Sequence, residues 1–220
     1  MLFRRKPIVT EKRILLQNVN WQKLEELLHE LGPERQIQLT YDRGKLEMMT
    51  PLAEHDRCNR LIESLLLVIA DEAGYDLASP GKVLLSQPEL GQAIQPTACY
   101  YLDKLPPGSQ CLEVSLLRVA PPDLAVDVLI QEGSMKRLGL FDTLRIPEVW
   151  QYTTTVGENA LKGQLTIWQW TEQGYVSSDR SPTFPFLPIS KVVEFLSESE
   201  SVGLAKALTL LRSWAKEAIG

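Results

Sequence analysis

Asp127 interrupts an otherwise apolar run, Leu124-Ala125-Val126-Asp127-Val128-Leu129-Ile130, which follows Pro121-Pro122-Asp123 and ends before Gly133. A run that is apolar on both faces reads as a central strand covered on both sides. An ionised carboxylate inside such a strand costs several kcal/mol unless it meets a metal, a cation or several donors. The chain must therefore build a sheet that carries a partner for Asp127 within it.

The 220 residues suit one domain with a real core. Three stretches divide it: an N-terminal arm and helix over residues 1–35, a central unit over 36–180, and a C-terminal helical segment over 181–220 packed on that unit. No apolar stretch is long enough to cross a bilayer, and Met1-Leu2-Phe3-Arg4-Arg5-Lys6-Pro7 lacks the apolar region of a signal peptide. A cytoplasmic protein without membrane contact is expected. Cys58, Cys99 and Cys111 form no CxxC pair and are read as small buried thiols. A net charge of -5 argues against a surface covered in nucleic-acid contacts, although a local basic cleft remains compatible. Arg4, Arg5, Lys6, Lys12 and Arg13 read as a solvated basic tail.

Residues 20–33 carry a short amphipathic helix, with Asn20 as cap, Leu24, Leu27, Leu28 and Leu31 on one face, and Gly32-Pro33 as the stop. Strands over 36–41 and 45–49 flank the turn Asp42-Arg43-Gly44, and the second strand places Glu47 between apolar neighbours. Residues 54–74 have the strongest helical periodicity, through Cys58, Leu61, Ile62, Leu65, Leu66 and Ile69. Strands are expected over 77–86, 97–102, 124–130 and 148–152, and a hairpin over 164–178. Ser134 is positioned to cap a helix over 135–145 that Pro147 ends. The Pro-rich residues 182–188 are expected to wrap the surface or an edge, and two helices follow over 191–197 and 202–218, the second with a stripe of Leu204, Leu208, Leu211 and Ala215. The fold class is α/β (α+β): a mixed sheet flanked by helices, with further helices at the C-terminus.

Several patterns occur in one order: residues 41–51, YDRGKLEMMTP; Glu54-His55; Gln95-Pro96-Thr97-Ala98-Cys99-Tyr100-Tyr101; residues 122–128, PDLAVDV; then Arg137, Phe141 and Ile146-Pro147-Glu148-Val149-Trp150. Together they make residues 36–170 resemble the Uma-two (Uma2) family of restriction-endonuclease-like proteins, abundant in cyanobacteria. The resemblance implies the fold of PD-(D/E)xK nucleases and a divalent-metal-dependent hydrolase acting on DNA, with Mg²⁺ or Mn²⁺ as cofactor. In that chemistry carboxylate oxygens hold the hard cation and a Lys orients the attacking water. Analogy with restriction enzymes also implies a possible homodimer.

This chain departs from the family at the three catalytic positions. The family's Pro-Asp is Pro96-Thr97, its strand Glu is Asp127, and its helix Lys is Arg137, with Lys136 one position earlier. Thr97 supplies no negative charge, Asp127 reaches one methylene less far, and a guanidinium does not trade protons with water. Pro122-Asp123 does not replace the missing Pro-Asp, because four residues of strand hold Asp123 about 13 Å from Asp127. Glu47 matches an acidic family position and is the next candidate metal ligand. His55 matches a position at the start of the long helix, where capping, a lid role and catalysis are all open. The histidines stand at no zinc-ligand spacing, and no GxSxG, Walker or GxGxxG motif is present. Two functions fit: an active metal-dependent endonuclease, or a nuclease-fold descendant that binds or assembles without cutting.

Overall fold

The computed structural model describes residues 11–32, 34–81, 83–104, 113–131, 133–157 and 159–220. The expectations on Arg4, Arg5, Lys6 and Cys111 lie outside them. Among the described residues the strands form two six-stranded mixed sheets where one was expected. In the first, β1 (Lys12–Leu16) lies at the edge beside β3 (Lys45–Thr50), followed by β2 (Gln38–Asp42), β6 (Gln92–Ile94), β5 (Leu84–Gln87) and β8 (Glu113–Ser115). The order in the second is β12 (Gly174–Ser178), β11 (Gln164–Thr171), β10 (Glu148–Thr153), β9 (Leu124–Leu129), β7 (Ala98–Leu102) and β4 (Leu77–Ala78). The expected strand over 77–86 is thus two strands in different sheets, parted at Pro80-Gly81.

β9 pairs in parallel with β10 and antiparallel with β7, so it is covered along both edges as well as both faces. Its residues Leu124 to Val128 are all buried. The β2–β3 hairpin closes through Arg43 and Gly44 at φ of 43° and 90°, the left-handed pair of a two-residue turn whose twist matches the strands. Leu24 and Leu28 of α1 (Trp21–Leu31) pack on one face of the first sheet, and the Asn20 side chain caps this helix by accepting the Lys23 N–H. Leu85, Ile94 and Val114 of that sheet share a core with Cys99, Ala125 and Val149 of the second sheet and with α3 (Arg137–Thr143). On the far face, α2 (Ala53–Ala73), α4 (Ile189–Ser201) and α5 (Leu204–Ile219) close the largest core. Phe184 and Leu187 of the Pro-rich segment are fully buried there while Pro185 stays exposed, so the segment runs at the surface and is anchored by two side chains. Leu204, expected on the docking stripe of α5, is exposed, and Ala207 takes the buried place. Burial pushes the Cys58 thiol up to about 11 and the Cys99 thiol to about 12, as inert core thiols require.

Glu148 opens β10 fully buried. Its carboxylate accepts the Trp150 Nε1–H at 2.5 Å and the Thr183 N–H at 2.8 Å, tying β10 to the Pro-rich segment. Burial raises its pKa, with these bonds offsetting only part, and burial raises Glu113 too. A carboxyl raised in the folded state destabilises the protein above its folded pKa and relieves that cost as pH falls through it toward the unfolded value. Glu11 and Asp42 are shifted downward, so their loss of stability lies below this window. The melting temperature is therefore expected to rise as pH falls toward the ordinary glutamate pKa from above. Differential scanning calorimetry should show that rise shrinking in Glu148→Gln; equal slopes in both proteins would contradict the assignment.

Candidate active site

Asp127 sits in the middle of β9, and α3 starts ten residues further along the chain, at Arg137. The guanidinium reaches back. Arg137 Nε donates to Asp127 Oδ2 at 2.8 Å and Nη2 to Oδ1 at 2.7 Å, a bidentate pair with both side chains buried. Nη2 also donates to the Gln95 carbonyl at 2.8 Å, and Nη1 to Thr40 Oγ1 at 2.5 Å. The Phe141 ring lies with its centroid 5.9 Å from the guanidinium carbon. One side chain thereby joins β9, β2 and the segment leading into β7.

Thr97 stands next to this pair, one residue before β7, and its Oγ1 accepts the Val128 N–H at 2.9 Å. The segments of Thr97 and Asp127 are adjacent, since Ala98 pairs with Val126. Asp123 accepts the Leu102 N–H and the Lys104 ammonium, as a residue of the turn leading into β9. Ser134 does not cap α3, which begins only at Arg137 and ends at Thr143; its own hydroxyl and N–H are drawn elsewhere. Lys136 is exposed. It lines a recess of about 340 Å³ with Asp42, Arg43 and Lys45, and an open groove of about 770 Å³ with Arg137, Gln151 and Tyr175.

Glu47 is buried and faces Thr40 across the β2–β3 ladder. Both its oxygens are taken: Oε1 accepts Arg13 Nη1 at 2.7 Å, and Oε2 accepts the Ser134 N–H at 2.8 Å and the Ser134 hydroxyl. Arg13 is no solvated tail residue. It also donates from Nε and Nη2 to Glu11 Oε2 at 2.9 and 2.6 Å, and from Nη2 to the Gln131 carbonyl at 3.2 Å. Burial alone would raise the Glu11 pKa, yet the His55 ring and the Arg13 guanidinium bring it below the ordinary range. His55 Nε2 lies 2.9 Å from Glu11 Oε1. His55 Nδ1 accepts the Leu52 N–H at 3.1 Å, which makes His55 a cap of α2. Glu11 and Thr40 were not expected at the site, and Arg13 was expected only in a solvated tail. Opposite charges two apart at Glu11 and Arg13 share one side of an extended chain, and that was the available signal.

A hard divalent cation requires several free oxygen ligands. Arg137 holds both oxygens of Asp127, Arg13 and Ser134 hold those of Glu47, and the Thr97 oxygen is neutral and already accepting. Among the described residues no group of three or more His, Cys, Asp or Glu is arranged around an ion. The side chains present do not fit a divalent metal.

A family model described as "Putative restriction endonuclease", Uma2, matches residues 21–194, and the chain belongs to the Uma2 family. A crystal structure of a putative nuclease of DUF820 from Anabaena variabilis is similar at 13% identity and a TM-score of 0.45, covering 72% of this chain and 90% of that one. No curated protein matches. Among the described residues, no helix is long and apolar enough to cross a membrane.

Proposed function

We propose that this Uma2 protein is a nuclease-fold member that associates with DNA and has lost, or nearly lost, the ability to cut it. The observation that carries this reading is the bidentate capture of Asp127 by Arg137. A buried carboxylate bonded through both oxygens to a guanidinium already has its charge compensated, which weakens its pull on a metal ion, and a guanidinium cannot exchange protons with an attacking water. DNA as partner comes from the family, and the exposed Arg43, Lys45 and Lys136 around one recess offer cations to a phosphate backbone in an otherwise acidic chain. The alternative in which the protein acts as an assembly piece shares the same closed centre.

Two measurements test the reading. Isothermal titration with Mg²⁺ or Mn²⁺ is expected to give no stoichiometric heat, and supercoiled plasmid is expected to survive incubation with either ion. Metal-dependent nicking that Asp127→Ala abolishes would defeat the proposal. Binding of a short DNA duplex, read by fluorescence anisotropy, is expected to weaken in Lys45→Ala/Lys136→Ala and with added salt; binding unaffected by either favours the assembly reading.

A further inference from the structure

We propose that Arg13 is a positioning residue, and that β1 is a strap across the candidate site which keeps Glu47 occupied and fastens the turn at Gly133 and Ser134, just ahead of Arg137. The inference deepens the reading above by adding a second internal guanidinium to the same acidic centre. β1 lies at the edge of the first sheet, paired along one side with β3, and it precedes residue 21, where the family match begins. From that edge Arg13 touches Glu11, two residues before it, and two places distant in the chain: Glu47 on β3 and the Gln131 carbonyl beyond β9. Glu47 passes the link on by accepting both donors of Ser134.

The turn is pressed tightly onto this pair. A Cβ built on Gly133 would stand 2.6 Å from Glu47 Oε1 and 2.7 Å from Arg13 Nη1, so only glycine admits so close an approach without displacing the charged groups. Three residues after Ser134 comes Arg137. The strap and the Asp127–Arg137 pair therefore hold the two ends of one short segment. The ion pairs agree: Arg13 lies between two buried carboxylates, and without it Glu47 would keep only the neutral donors of Ser134. A carboxylate at a family acidic position thus shares a cation supplied by a strand that the family match does not include.

The test is native-state hydrogen exchange on the full-length chain. Arg13→Gln is expected to speed exchange of the Ser134 amide and its neighbours at least tenfold, while Arg13→Lys, which keeps a cation on Glu47, restores most of the protection. Glu47→Gln cuts the same link from the other side and should expose the same amides, which decides the matter should Arg13→Gln fail to fold. Unchanged exchange at Ser134 in a folded Arg13→Gln or Glu47→Gln protein overturns the strap, as does an increase spread evenly over β9, α2 and this turn alike. Plasmid cleavage by the wild-type protein would defeat the proposed function and leave the strap standing; unaltered exchange would do the reverse.

Discussion

Arg137→Ala is expected to lower the free energy of unfolding by about 3–5 kcal/mol, the range for removing one member of a buried ion pair. The loss comes less from the missing attraction than from what stays behind. Asp127 would remain fully buried in the centre of β9 without its guanidinium, and Thr40 Oγ1 and the Gln95 carbonyl would lose this donor. Arg137→Lys should fall between, because an ammonium cannot reproduce the planar, two-pronged contact with Oδ1 and Oδ2. Changing both partners together, Asp127→Leu with Arg137→Met, should recover most of the loss, since an apolar pair leaves no buried charge uncompensated. Urea titration followed by circular dichroism reads all three. A loss below about 1 kcal/mol for Arg137→Ala would place this pair with exposed salt bridges and contradict its burial.

The second large effect concerns cleavage. Thr97→Asp, Asp127→Glu and Arg137→Lys together restore the charges and reach that the family resemblance assigns to the three positions, and the triple variant is expected to nick plasmid DNA in Mg²⁺ where the wild type does not. Groups that act as a unit lose most of their effect when any one is missing, so each single reversion should stay near background. Arg137→Lys is also the change that frees the carboxylate, because a lysine cannot grip both oxygens and the Gln95 carbonyl at once. Adding Arg13→Gln to the triple variant is expected to raise the rate further by releasing Glu47. Nicking equal to background in a folded quadruple variant would show that more of the centre has been lost than these positions contain.

The part of the site that was legible in the sequence is the part written locally. Asp127 stood out because its neighbours are apolar on both faces, and Arg137 lay ten residues along, within one turn and the start of a helix. The two hairpins, α2 and β9 showed their periods and turn residues openly. The misread elements lack such marks: β6 and β8 have three residues each, and β1 is mostly exposed, so neither length nor alternation separates them from loop. Ser134 looked like a cap because a helical pattern follows it, but its donors are claimed by Glu47 from 87 residues away. Arg13 looked solvated because its main partner besides Glu11 is 34 residues distant, and no local pattern encodes that meeting. The second sheet was missed for the same reason: periodicity says that a strand exists, while partner choice is settled by packing between layers.

The four hydrogen bonds of Arg137 span very different chain separations. Asp127 is 10 residues away, the Gln95 carbonyl 42 and Thr40 97. The last of these bonds must wait until the first sheet has docked on the second, because loop closure over such a distance precedes any reward from the contact. A contact completed after the folding barrier leaves the folding rate almost untouched and appears in the unfolding rate instead. Stopped-flow refolding of Arg137→Ala is expected to match the wild type, with nearly all of its lost stability emerging as faster unfolding. In kinetic terms the guanidinium acts as a bolt: it has little part in assembling the molecule and a large part in how long the assembled molecule lasts.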